Sequence, residues 1–335
     1  DYHHIKRGLI YARRGVMKEA KADYDNAIEI NPENFYAYNN IGYLYQERGD
    51  FETAIKYYKE SISNIGGAVF LLAYNNIADS YVYLKDYEMA LNYLNEGLKK
   101  MPNHQSFLYN KGKVLRSMHR YNEALEAFKK GCSMYDADKD EYYSEIALTY
   151  LWMKDDRKAI KWYKKSLMIN NRNHNAICSI GDIYKRKKRY RRAKKYYLKL
   201  YEIGEDMFYY IYSGDLYKEM NKLDKAKKCY EIAIEKCNDE DIKEAKKFSE
   251  IGYCYRQLGN IDEALKYLNK AIEVDPCYEC KGRGCHESYN RLGELYESQG
   301  DYEMALKYYK KALEMEDDIE YLENIERIEK IKGEQ

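Results

Sequence analysis

"NNIGYLYQERGDFETAIKYYKESI" at residues 39–62 returns almost intact as "NRLGELYESQGDYEMALKYYKKAL" at residues 290–313. A unit recurring at that distance makes the period the first quantity to read, because a repeat of about 20–50 residues decides the architecture before any single motif does. Anchoring on the alanine of the second half gives Ala20, Ala54, Ala90, Ala124, Ala159, Ala193, Ala226, Ala264 and Ala305, at intervals of 34, 36, 34, 35, 34, 33, 38 and 41 residues. Twelve residues before each anchor stands a small residue: Gly8, Gly42, Ala78, Gly112, Ala147, Gly181, Gly214, Gly252 and Gly293. Nine residues before it, eight of the nine positions are tyrosine, with Leu115 the exception. A large apolar or aromatic residue, such as Tyr24, Phe128 or Leu268, follows four residues after it, and Pro32, Pro102 and Pro276 each fall twelve residues after an anchor.

Small residues on one helix let a second helix approach closely, and bulky ones fill the space beside them. With only three prolines in 335 residues, the chain reads as helical throughout. Gly15, Gly49, Gly259 and Gly300 stand where the first helix of a hairpin should end. The pattern resembles the tetratricopeptide repeat family over essentially the whole chain. The resemblance implies an all-α, right-handed α-solenoid, a superhelix of stacked helix-turn-helix repeats. The register places repeats near 1–34, 35–68, 71–104, 105–138, 140–173, 174–206, 207–240, 245–278 and 286–318. A capping helix is expected over 319–334, where Ile319, Leu322, Ile325, Ile328 and Ile331 recur every three residues. A single solenoid over 1–335 thus replaces the two domains that length alone would suggest.

The charges nearly cancel, 57 basic against 56 acidic, so no global field draws the chain to nucleic acid or membrane. No apolar run reaches the length of a transmembrane helix. The sequence begins at Asp1 without methionine, which leaves a removed signal peptide or an upstream domain open. Eight cysteines are too sparse for a disulfide scaffold. Cys132, Cys178, Cys229, Cys237 and Cys254 read as small buried residues of a reducing, cytoplasmic protein.

The resemblance further implies a concave groove lined by positions two, five, six, nine, twelve and thirteen of each repeat, gripping an extended peptide or a partner protein. Position six supplies Asn40, Asn76 and Asn110, with Asn39 and Asn75 beside them and Asn290 in the ninth repeat. An amide offers an acceptor and two donors, so such a row can pair with any peptide backbone; the bland alternative is capping or solvation. Trp152, Phe208 and Tyr212 are candidate aromatic anchors in mid-groove, against a plain packing role. "KRKKRYRRAKK" at 185–195 is a candidate basic patch through Lys185, Arg186, Lys187, Lys188, Arg189, Arg191 and Arg192. A solvated turn is the competing reading, and no stacking platform beyond Tyr190 favours nucleic acid. The carboxylate clamp of chaperone-binding members is not found in three consecutive repeats.

"CYECKGRGCH" at 277–286 falls in the lengthened stretch between the eighth and ninth repeats. Cys277 and Cys280 form a knuckle that could chelate zinc, with Cys285 and His286 as further ligands. "CYECKGRG" also matches one copy of the Cys-x-x-Cys-x-Gly-x-Gly pattern of DnaJ-type co-chaperones. A redox pair and ordinary free thiols are the alternatives. No nucleophile with a base, phosphate loop or His-Glu-x-x-His helix stands out, so a non-catalytic role is expected. That role is a protein-interaction scaffold; the alternatives are a peptide- or ligand-responsive regulator and a zinc- or thiol-dependent co-chaperone.

Overall fold

The structure, a computed structural model, describes residues 1–63, 70–134, 139–237, 244–274, 286–315 and 319–333. Nineteen α-helices and no strand occur among them. The sequence reading takes the chain as a single solenoid; by their contacts the helices pack as two compact units, with the break between Asp138 and Lys139. Unit 1 holds four hairpins: α1 (Tyr2–Arg13) with α2 (Met17–Ile30), α3 (Phe35–Glu47) with α4 (Phe51–Ser63), α5 (Phe70–Tyr83) with α6 (Tyr87–Lys100), and α7 (Gln105–Ser117) with α8 (Tyr121–Met134). Unit 2 begins with α9 (Lys139–Trp152) and α10 (Asp156–Ile169), then α11 (His174–Arg186) and α12 (Tyr190–Glu202), then α13 (Asp206–Glu219) and α14 (Leu223–Cys237). It continues through α15 (Glu244–Gln257) and α16 (Ile261–Val274) to α17 (His286–Ser298) and α18 (Tyr302–Met315), and ends on α19 (Ile319–Gly333). Both units are runs of one repeated hairpin, and the chain is an all-α repeat solenoid.

The contact that closes each hairpin is the one the period encodes. A Cβ added at Gly42 would lie 2.7 Å from the ring of Tyr58, and one at Gly214 2.6 Å from that of Tyr230. The same sixteen-residue pairing joins Gly8 to Tyr24, Gly112 to Phe128, Gly252 to Leu268 and Gly293 to Tyr309. Each of these large partners is buried, and burying one stabilises the fold by about 1.5–3 kcal/mol. Where the small residue is alanine, at Ala78 and Ala147, the partners Leu94 and Tyr163 are buried as well. The periodic tyrosines of the first helix add a second seam by stacking on a tyrosine of the second helix. Tyr45 meets Tyr57 at 5.4 Å, Tyr255 meets Tyr267 at 5.5 Å and Tyr296 meets Tyr308 at 5.4 Å between ring centres.

The turn inside each hairpin is left-handed at a fixed place, seven residues after the small one. Gly49 adopts it with φ 73° and Gly259 with φ 79°, as glycine does at little cost. In five hairpins the same conformation is held by Lys85, His119, Lys154, Lys188 and Asn221, so glycine is not what sets the turn. The second helix is started by a cap: Asp50 Oδ1 accepts from Thr53 N at 3.1 Å and Asp155 Oδ1 from Lys158 N at 3.0 Å. Of the five cysteines read as buried, Cys132, Cys178, Cys237 and Cys254 are, while Cys229 is half-buried.

Candidate functional site

Helical spacing puts Tyr36, Asn39, Asn40 and Tyr43 on one face of α3, and Leu72, Asn75, Asn76 and Asp79 on one face of α5. The asparagines pair across neighbouring hairpins. Asn76 Nδ2 donates to Asn39 Oδ1 at 3.2 Å, and Asn110 Nδ2 on α7 donates to Asn75 Oδ1 at 3.0 Å. Each pair uses one acceptor and one donor, so among the described residues Asn39 and Asn75 keep free donors and Asn76 and Asn110 keep free acceptors. Asn40 makes no side-chain hydrogen bond there and is half-buried. Beside this row large apolar groups face solvent: Tyr36 is 49%, Tyr43 48% and Leu72 55% exposed. The sequence reading missed these three. Their signal was available, since 36, 43 and 72 occupy groove positions two and nine of the register.

The corresponding face of unit 2 is built from ions and phenols. Asp182 on α11 accepts from Tyr197 Oη at 2.7 Å, and Lys185 Nζ lies 3.3 Å from it. Asp215 Oδ1 on α13 accepts from Tyr230 Oη at 2.8 Å and Tyr253 Oη at 2.7 Å. On α17, Arg291 donates to Glu250 Oε2 at 2.8 Å and Glu287 Oε1 at 2.6 Å. Its guanidinium lies 4.9 Å from the centre of the Tyr253 ring, and that of Arg256 5.3 Å. Glu297 takes Tyr309 Oη at 2.6 Å and Arg327 Nη2 at 2.7 Å. The amide pairing also recurs, Asn324 Nδ2 donating to Asn290 Oδ1 at 3.1 Å.

Burial pushes the carboxyls of Glu250, Glu294 and Asp182 above the usual range, although neighbouring cations oppose it. Arg291 instead holds Glu287 below that range. Burial works against the Arg291 cation, and Glu250 and Glu287 more than offset it, so its pKa is raised. Most of these groups neutralise one another within the unit, and the buried atoms left without a hydrogen-bond partner among the described residues include Ser213 Oγ and Arg256 Nε.

The other sequence candidates are dispersed. Trp152 and Phe208 are buried. Phe208 sits edge-on to His174 with Lys246 Nζ 4.5 Å from its centre, and Tyr212 stacks on Tyr197 at 5.1 Å. In the basic run, Lys185 serves Asp182, while Arg186 Nη2 and Lys187 Nζ both meet Asp156, at 2.5 and 2.8 Å. Lys188, Arg189, Arg191 and Arg192 remain exposed, with Arg192 packed over Tyr184. Cys277, Cys280 and Cys285 lie outside the described residues. His286 opens α17 and its Nδ1 is 2.7 Å from Tyr321 Oη. No group of three or more metal-ligating side chains forms among the described residues.

One arrangement escaped the sequence reading, although His174 and Cys178 stand four apart on α11. Cys178 Sγ lies 3.4 Å from His174 Nε2, and His174 Nδ1 pairs with Glu205. Thiol, imidazole and carboxylate follow the order of an activated nucleophile. Burial, however, pushes the Cys178 thiol far up, and only 6% of the residue is exposed, so the thiolate is disfavoured and closed to a substrate.

Models of the tetratricopeptide repeat match residues 35–103 and 243–316, residues 75–139, and residues 140–173, 174–206 and 209–235. A TPR repeat model matches residues 8–49. Hsp70-Hsp90 organizing protein 1 of Glycine max is 26% identical over 183 residues, 52% of this chain and 30% of that protein. The type IV pilus assembly protein PilF of Pseudomonas aeruginosa is 22% identical over 194 residues, 58% of this chain and 63% of that protein. The chain therefore spans less than two thirds of either curated relative. Among solved structures, a tetratricopeptide repeat protein from Parabacteroides merdae aligns over 98% of both chains at 17% identity, with a TM-score of 0.41. YrrB, described as a TPR protein with an unusual peptide-binding site, aligns over 52% of this chain and 88% of its own at 20% identity, with a TM-score of 0.42.

Proposed function

The chain belongs to the tetratricopeptide repeat family, and from that premise we propose a non-catalytic protein-interaction scaffold that holds an extended peptide or partner segment on the α3, α5 and α7 face. The observation that carries this reading is the conjunction on one face of exposed Tyr36, Tyr43 and Leu72 with amides whose hydrogen-bonding capacity is only partly used. An extended peptide presents alternating donors and acceptors, and the free Nδ2 and Oδ1 groups of the asparagine row suit both. The aromatic residues supply area that a partner would desolvate, and such residues dominate interface energetics. In this reading Trp152, Phe208 and Tyr212 hold unit 2 together instead of meeting the peptide.

A peptide selected against the wild type from a random display library provides the test, with affinity read by fluorescence polarisation. The Tyr36→Ala, Tyr43→Ala double variant should bind roughly thirtyfold more weakly, the loss expected of a truncated hot spot. The Asn40→Ala, Asn76→Ala, Asn110→Ala variant should lose roughly tenfold. Unchanged affinity in both variants would sink the assignment of this face. Zinc at Cys277, Cys280, Cys285 and His286 is a separate reading. Metal analysis of reduced, chelator-washed protein tests it: about one zinc per chain keeps it and none ends it.

A further inference from the structure

A cleft of about 790 Å³ lies in unit 1 between the second helices of two successive hairpins, α6 and α8, with α7 as its floor. Met89, Leu98, Leu108, Leu115 and Ala127 give it apolar walls. Its volume falls in the range of small-molecule sites. Lys111 stands in the floor, half-buried, on α7. Its ammonium has three N–H groups. Among the described residues it meets only Asn95 Oδ1, at 2.8 Å. Two donors of a cation half removed from water are thus without an acceptor inside a cleft of ligand size.

The carboxylates nearby do not supply one. Glu123 is held by Arg120 through two bonds of 2.7 Å, and no ion pair joins it to Lys111. Glu96 and Glu126 are exposed members of the lining, as are Lys99 and Lys130, whose Nζ reaches Pro102 O at 3.2 Å. The rim is therefore near neutral, and the unmet charge is at the bottom. Burial lowers the Lys111 pKa, and the opposing pull of Glu123 does not restore it.

We propose that this cleft binds an apolar molecule bearing one carboxylate, with Lys111 Nζ taking the carboxylate and Leu108, Leu115 and Met89 taking the apolar body. A dianion such as a phosphate fits less well, since a single ammonium faces it at the floor and the near-neutral rim adds no net positive charge. A short fatty acid and the free end of an apolar peptide share the required chemistry.

Calorimetric titration of the full chain with octanoate, 1-octanol, and the peptide Ala-Leu-Leu as free acid or amide tests the proposal. Octanoate or the peptide acid should bind, and whichever binds identifies the source. That binding should fall roughly tenfold in Lys111→Met and stay near wild type in Lys111→Arg, while octanol and the amide bind roughly tenfold more weakly. Undiminished binding by Lys111→Met, equal binding of the uncharged probes, or no binding of either acid would overturn it. Should Lys111→Met fail to fold, acetic anhydride footprinting of the wild type decides. Saturating octanoate or Ala-Leu-Leu should protect Lys111 and leave exposed Lys56 unaffected, and unprotected Lys111 is the contrary result.

Discussion

On α3, α5 and α7 four asparagines pair one to one across neighbouring hairpins, Asn39 with Asn76 and Asn75 with Asn110. On α11, α13, α15 and α17 the corresponding groups are ions and phenols that each meet several partners. Asn75 gives one acceptor to Asn110 and keeps its donors, whereas Asp215 takes two phenols and Arg291 bridges two glutamates. The same helical hairpin therefore supports an open hydrogen-bonding face in one unit and, in the other, one whose polar groups are largely satisfied among themselves, Ser213 Oγ and Arg256 Nε excepted among the described residues. The difference teaches that recognition capacity depends on what a polar group has left over, not on how many polar groups line a face.

Breaking the ionic face should have the largest effect. Arg291→Met leaves the carboxylate of buried Glu250 without its main partner and should destabilise the fold by about 3–5 kcal/mol in urea denaturation. Adding Glu250→Leu should recover much of that loss, because the uncompensated charge is then gone. A full loss in the double variant would mean that packing, not charge, makes Arg291 matter.

One carboxyl from each unit should also answer pH with opposite sign. Glu294 is raised by burial above the ordinary 4.5, so its contribution is complete below that value and is lost as pH rises through the raised pKa. Asp23 in unit 1 is lowered, chiefly by its bond from Arg7, so its contribution is present above the ordinary 3.8 and is lost as pH falls. Glu294→Gln should accordingly gain on the wild type as pH rises, and Asp23→Asn should gain as pH falls, in denaturation curves taken from about pH 3 to 8. Parallel trends in the two variants would remove the contrast.

Asn76→Ala should cost about 0.5–1.5 kcal/mol of stability, since one amide bond to nearly buried Asn39 is lost. Its effect on peptide affinity should be the more visible one. The smallest change tests what the units share. Lys188 holds the left-handed turn with φ 55°, and Lys188→Gly should stabilise by about 0.5–1 kcal/mol, read as a rise in Tm.

Much of the fold is legible because it rests on contacts at fixed sequence spacing. Gly42 with Tyr58 and Gly214 with Tyr230 are each sixteen apart, so the period that reveals one partner reveals the other. The asparagine row was legible as a row, but not its pairing, in which position five of one hairpin accepts from position six of the next. The exposure of Tyr36 and Tyr43 was legible only from their groove positions, not from residue type, in a chain with 41 tyrosines, most of whose periodic members are packed. Trp152 and Phe208 carry the composition of an anchor, yet both are buried.

The sequence by itself determined the repeated hairpin, its register, the small-to-large contact inside it and the place of its turn, because each is a local matter of spacing and side-chain size. Only the tertiary structure decided which polar groups of successive hairpins satisfy one another, where Lys111 was left with donors to offer, and that His174, Cys178 and Glu205 meet. The pairings among them depend on distances between segments 30 or more residues apart, such as Asn39 to Asn76 and His174 to Glu205, and the unmet donors of Lys111 on the water that packing excludes.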